Sequence, residues 1–144
     1  MNLLHLNILA AVTTVFTLSG CTTGNSGVTF GDFRDRASSL AGSGATDCGN
    51  AEIGFGNAQN TCVTTAFVEQ RSAFATYDGQ GTDSRVATGL AVTMSGSVYR
   101  LFFDGDPTGG GSSSNGEISV VECLNASLSG IVDGQPTEVF NCSN

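Results

Sequence analysis

Polar and apolar positions alternate along this chain with different periods in different blocks. From Leu3 to Leu18 the run LLHLNILAAVTTVFTL is almost continuously apolar. From Thr22 to about Asp47 Thr, Ser, Gly and Ala dominate, which is the composition of a flexible linker. One island interrupts it, Phe30-Gly31-Asp32-Phe33-Arg34-Asp35-Arg36, followed by Ala37-Ser38-Ser39-Leu40. The island suits either a short docked helix or strand, or a sticky spot on a tether, and the surrounding composition favours the tether. Further on, Ala58, Cys62, Val63, Ala66 and Phe67 share one face at the helical period. With Gly54 and Gly56 ahead of it and Asn57 as a suitable N-cap, this spacing predicts a helix over 57–71.

The remaining blocks are strand-like. Phe74 to Tyr77 precedes a turn signal, Asp78-Gly79-Gln80-Gly81. Val86, Thr88, Leu90, Val92 and Met94 alternate with Ala87, Gly89, Ala91 and Thr93, and the first set is expected to face the core. Ser95-Gly96 separates this run from Val98-Tyr99-Arg100-Leu101-Phe102-Phe103, so the two read as a hairpin. A Gly/Ser loop from Asp104 to Asn115 or Gly116 follows. Ile118 to Cys123 is a further strand, Asp133-Gly134 a turn, and Val139-Phe140 part of a last strand ending at Cys142. The sum predicts an α+β fold, with one helix packed on a small, mostly antiparallel sheet of four to five strands. No internal repeat is apparent.

The N-terminal run is shorter than the roughly 20 apolar residues that a spanning helix needs, and fits a signal-peptide core of about 7–15. It ends in Leu18-Ser19-Gly20-Cys21. This resembles the lipobox of bacterial lipoproteins, although the leading MNLLHLN has no Lys or Arg where such signals are usually basic. The resemblance implies diacylglycerol on Cys21, cleavage before it and acylation of the new amine. It also implies a signal at residues 1–20 and a lipidated tether at 21–47, ahead of a domain at 48–144. Thr22, not Asp, follows the cysteine, which by resemblance to enterobacterial sorting favours the outer membrane. An ordinary secretory signal or an uncleaved anchor would also take the chain out of the cytoplasm.

Five cysteines are an odd number for an exported chain. With Cys21 given to lipid, Cys48, Cys62, Cys123 and Cys142 remain and read as two disulfides. Of three pairings, Cys48–Cys62 and Cys123–Cys142 are favoured because each closes a short loop, worth about 3 kcal/mol in the chain-entropy model. A four-cysteine zinc site lacks a C-x2-C pair and any nearby His.

Charge narrows the function classes. The formal net charge is -8, all five basic residues are arginines, and lysine is absent. A nucleic-acid binder needs basic clusters to displace counterions, so nucleic acid is not an expected partner. Without lysine there is no Schiff base and no P-loop lysine. The single histidine, His5, lies in the N-terminal run, so no His-dependent triad or metal site is expected in the domain. No cofactor is implied and the chain reads as non-catalytic. Thirteen acidic residues could supply a glycosidase-type carboxylate pair, but a solvated acidic surface is the simpler reading.

Candidate binding chemistry is sparse. Asp104-Gly105-Asp106-Pro107-Thr108-Gly109 begins as a calcium loop does, with oxygens at alternate positions before a Gly, but its twelfth position is Asn115 and not Glu. A solvated turn after an apolar strand is the favoured reading. Gly109-Gly110-Gly111 lacks the Lys of a phosphate loop, and Asn125-Ala126-Ser127 matches a glycosylation sequon by chance in a bacterial setting. Ser95-Gly96-Ser97-Val98-Tyr99 is similar to the Ser-Gly-x-x-Tyr motif of the inhibitors of c-type lysozyme, small exported β-rich proteins. That resemblance implies that Ser95 and Tyr99 would enter the lysozyme cleft, aided by acidic steering toward a basic target. The family's second, lysine-containing motif has no counterpart in this chain.

The expectation is a lipid-anchored protein of the bacterial envelope, binding or structural in role. The membrane would be a partner through Cys21, and an envelope protein a partner through the loops at 78–83 and 104–116.

Overall fold

Thr29 and Asp32 cap each other's backbone at the start of the first helix. The Thr29 N–H donates to Asp32 Oδ2 at 2.7 Å, and the Asp32 N–H donates to Thr29 Oγ1 at 3.2 Å. This reciprocal capping box satisfies two of the donors that every helix start leaves open. The helix, α1, spans Phe30–Ala41 and buries Phe33, Ala37 and Ala41 at four-residue spacing. The computed structural model describes residues 27–109, 116–129 and 139–142.

The expectation of a tether through residue 47 therefore fails from Phe30 onward. The island is a core helix, because a cap at its start and an apolar residue on every turn outweigh the linker-like composition around it. The next residues of the expected tether enter β1, Thr46–Ala51. Then follow α2 (Asn57–Val68), β2 (Ala73–Gly79), β3 (Val86–Val92), β4 (Val98–Asp104) and β5 (Glu117–Cys123). The short strands β6 (Ser127–Leu128) and β7 (Phe140–Asn141) pair with each other. The turn expected at Asp133-Gly134 lies outside the described residues.

The fold is α+β, with two helices rather than one on a five-stranded sheet in the order β1-β2-β3-β4-β5. β1 and β2 are parallel and joined through α2, whereas the other neighbours in the sheet are antiparallel, so the sheet is mixed. The helices cover opposite faces. Phe33, Ala37 and Ala41 of α1 pack with Phe74, Ala87, Ala91, Leu101 and Phe103. Val63 of α2 packs with Ala75, Tyr77, Leu90, Val92 and Val98.

Two-sided burial explains why β3 is apolar at both phases of its alternation. Leu90 and Val92 face the core on the α2 side, as expected, while Ala87, Gly89 and Ala91 of the alternate set lie under α1 and are small. Met94, expected in the core, lies beyond the strand and is exposed. In α2, Val63 and Ala66 are buried and Phe67 packs against core, as the period predicts, while Cys62 is half-buried and bonded to Cys48. Ala58 is exposed, Asn60 is buried instead, and Gly56 rather than Asn57 is the N-cap.

Both favoured disulfides are present. Cys48–Cys62 ties β1 to α2, and Cys123–Cys142 ties the end of β5 to the residue after β7. The last strand gains two further holds. The Arg100 guanidinium donates to the Phe140 carbonyl, and the Phe140 ring meets Phe67 edge-on at 5.1 Å.

Candidate functional site

Strand pairing brings four separate segments to one end of the sheet. Gly79 of β2 pairs with Val86 of β3, and Val86 with Asp104 of β4, so the loops after β2 and after β4 leave side by side. Ala51 pairs with Tyr77, which puts the β1–α2 loop at the same end. Val28 forms an antiparallel bridge with Gly116, where the close approach of the Val28 carbonyl leaves no room for a Cβ, so the start of α1 joins them.

Two depressions open at this end, and Arg85 stands between them. The first, about 360 Å³, is lined by Val28, Thr29, Phe30, Asp83, Ser84, Arg85, Phe103, Gly105 and Asp106. The second, about 450 Å³, is lined by Glu52, Ile53, Asp78, Gly79 and Arg85. The Arg85 guanidinium carbon lies 3.4 Å from the centre of the Phe30 ring, a close cation–π stack. Its Nε and Nη2 donate to Asp78 Oδ1 at 3.1 and 2.5 Å.

Asp78 is itself held from behind. Its Oδ2 accepts from Asn50 Nδ2 at 2.9 Å, and the Thr76 hydroxyl donates to Asn50 Oδ1 at 2.9 Å. Arg34 of α1 donates to Thr76 Oγ1 at 2.9 Å and to Asp47 Oδ2 at 2.7 Å. This row runs from α1 across β1 and β2 to the mouth of the cleft. Because each member is fixed by the next, the Arg85 partition stands on a rigid base.

The loop after β4 is shaped by its own carboxylates. Asp104 Oδ1 accepts from the Ser84 hydroxyl at 3.1 Å and from the Asp106 N–H at 3.0 Å. Asp106 is only 5% exposed although it lines the first cleft, and its Oδ1 accepts from the Thr108 hydroxyl at 3.2 Å. These two residues thus act as turn-formers, and among the described residues no three His, Cys, Asp or Glu side chains gather as a metal-ligating group. Asn115 lies outside the described residues.

Ser95 and Tyr99 belong to the other end of the sheet. Ser95 is exposed in the β3–β4 turn, its Oγ 2.8 Å from Thr93 Oγ1. Tyr99 packs against the α1-side core and donates from its hydroxyl to Glu122 Oε1 at 3.3 Å. Desolvation, and then the Glu122 carboxylate, push its phenol above the ordinary value. Of the four candidate binding residues, the structure brings Asp104 and Asp106 together and leaves Ser95 and Tyr99 apart from them. Cys21 lies outside the described residues, and among those described no helix is long and apolar enough to cross a membrane.

Phe30 and Arg85 were not singled out from the sequence as site residues, whereas Asp83 lies in the 78–83 loop expected to carry recognition. Arg85 follows a turn-rich stretch, and only the pairing of β2 with β3 shows that it reaches Asp78 and Phe30. No protein-family model, curated protein or solved structure matches this chain.

Proposed function

We propose that this chain is a lipid-anchored module of the bacterial envelope that binds a partner through the loop end of its sheet and catalyses no reaction. The observation that supports this reading best is the convergence of the α1 start, the β2–β3 loop and the β4–β5 loop around one cleft of about 360 Å³. That volume is within the range of small-ligand and side-chain pockets. Loops held on a rigid scaffold are also where binding residues concentrate. Beside the cleft, Ile53 and Phe55 stand 55% and 74% exposed on the β1–α2 loop, whose flanks are joined by Cys48–Cys62. Exposed apolar side chains on a stapled loop are suited to anchoring a partner. The lipobox resemblance at Cys21 supplies the membrane part of the reading, with the outer membrane as the expected site.

Two measurements test it. The full chain is expected to take up labelled fatty acid in bacterial cells and to lose the label in Cys21→Ser. With a photo-crosslinking residue at position 83 or 55, it is expected to give a discrete adduct that position 95, at the far end of the sheet, does not give. A chain that takes up no label, or that gives the same adducts from both ends, overturns the corresponding half of the proposal.

A further inference from the structure

We propose that the free edge of β5 pairs with β5 of a second copy of this chain, antiparallel and around a two-fold axis at Val120. This surface is separate from the loop-end cleft, and the inference stands independently of the reading above.

The hydrogen-bond phase of the sheet decides which backbone groups are open. At the two ends of the β3–β4 ladder, the Thr93 N–H donates to the Ser97 carbonyl at 2.9 Å and the Gly105 N–H to the Arg85 carbonyl at 2.9 Å. Bonded pairs alternate with unbonded ones in an antiparallel ladder, so Tyr99, Leu101 and Phe103 turn their backbone groups to β3. Arg100 and Phe102 then turn theirs to β5, where their partners Val121 and Ser119 bond inward. Ile118, Val120 and Glu122 point their N–H and C=O groups outward, and among the described residues nothing bonds them.

β5 also lacks the usual protection of an edge. It pairs with β4 without a register shift, and no Lys, Pro or bulge interrupts it. β1, at the opposite edge, is polar and broken by a register shift between Asp47 and Asn50. Both faces beside β5 carry apolar side chains. Val121 and Phe102 are 48% and 44% exposed on one face, and on the other Ile118 and Val120 line a depression of about 560 Å³ together with Arg36.

A second copy fits this edge in one register. Outward residues must meet outward residues, and Val28 bridges Gly116 and closes the edge just before Glu117. Only a pairing centred on Val120 then uses all three open residues. It sets Val120 opposite itself and Glu122 of each copy opposite Ile118 of the other. Opposite side chains share a face, so each Glu122 arrives beside the other copy's Arg36. Arg36 is exposed, and no hydrogen bond or ion pair engages it among the described residues. On the other face, Val121 of one copy lies opposite Ser119 of the other, next to Phe102. The contact is self-complementary, as a two-fold pair requires. The net charge of -8 on each copy opposes approach, so the dimer is expected to be weak.

The test uses the full chain in detergent micelles. A photo-crosslinking residue at the exposed position 119 is expected to give an adduct of twice the chain's mass that maps to β5 of the second copy, and one at position 95 none. Arg36→Glu, a change on an exposed residue, is expected to lower that yield by about tenfold, because two ion pairs become two repulsions. Arg36→Glu with Glu122→Arg should restore it by reversing both pairs. Amide exchange reads the unaltered chain. At low concentration residues 118, 120 and 122 are expected to exchange fast and 119 and 121 slowly, and raising the concentration should slow the first set alone.

A double-mass adduct whose yield Arg36→Glu leaves unchanged overturns the register, and the proposal with it. An adduct within one chain shows that the chain covers its own edge, and an adduct of any other mass shows a different partner; either overturns the second copy. No adduct, with exchange at 118, 120 and 122 independent of concentration, also overturns it.

Discussion

Phe33 of α1 closes on Gly89 of β3 so tightly that a Cβ on Gly89 would lie 3.0 Å from Phe33 Cζ. Phe33 is fully buried, and Phe103 packs beside it with ring centres 5.7 Å apart. The helix approaches the sheet closely because β3 presents only small residues toward it. Gly89→Ala is therefore expected to destabilise by about 1–3 kcal/mol through overpacking. Phe33→Ala should cost about 3–5 kcal/mol through the cavity it leaves. Urea unfolding followed by circular dichroism checks both. If 30–41 were a dispensable tether, neither change would move the midpoint.

The capping box makes α1 sensitive to acid. Hydrogen bonds from the Thr29 side chain and backbone hold the Asp32 carboxyl below its ordinary value. A group whose folded pKa is lowered stabilises above the unfolded pKa, about 3.9 for aspartate, and that stability is lost as pH falls through the folded value. Protection of α1 amides is expected to be complete at pH 6 and to decline below about pH 4. Thr29→Ala should cost about 1 kcal/mol at neutral pH and flatten this acid dependence. Hydrogen exchange at several pH values separates the two effects.

Tyr77 predicts the alkaline limit. It is 2% exposed, its hydroxyl has no partner among the described residues, and burial pushes its pKa far up. A raised folded pKa gives stability that is present below the unfolded value, about 10, and is lost as pH rises above it. Tyr77→Phe removes a buried, unpartnered hydroxyl, so it is expected to be neutral or slightly stabilising at pH 7. Its unfolding midpoint should also fall less than that of the unaltered chain between pH 9 and about pH 11. A midpoint that falls equally in both chains would show that other groups set this limit.

The disulfides differ in what they secure. Cys48–Cys62, 14 residues apart, joins β1 to α2 beneath the exposed Ile53–Phe55 loop, and Cys123–Cys142, 19 apart, holds the terminal strand to the sheet. Each is worth about 3 kcal/mol in the chain-entropy model. Cys48→Ser with Cys62→Ser is expected to raise proteolysis at 52–56. Cys123→Ser with Cys142→Ser should free the C-terminal segment and leave α1 protected. Limited proteolysis with mass mapping distinguishes the two patterns.

Much of the fold was legible in the sequence where one local signal dominated. The helical face of α2 and the β3–β4 hairpin follow from spacing, and both disulfides from spacing once Cys21 is assigned to lipid. α1 was masked by Ser and Gly around it, although Thr29 and Asp32 at capping-box spacing, followed by Phe33, Ala37 and Ala41, spell out the helix. The parallel β1–β2 pair was harder, because Thr46-Asp47-Cys48-Gly49-Asn50-Ala51 has no apolar alternation. On the α1 side of those strands Arg34, Asn50 and Thr76 satisfy one another, and such a polar layer leaves no periodic mark. The site was half legible for a related reason. Asp104 and Asp106 stand in an evident loop, but Phe30 and Arg85 meet only through tertiary folding.

The bridge between Val28 and Gly116 also governs how far the protein can act from its point of attachment. Residue 28 is pinned at the rim of the cleft, and residue 21 precedes it by only seven positions. Seven residues, even drawn straight, reach at most about 25 Å. With the proposed lipid on Cys21, the cleft would work on a short leash. It would meet its ligands in the layer immediately above the bilayer, and a target lying deeper in the surrounding space would have to come down to it.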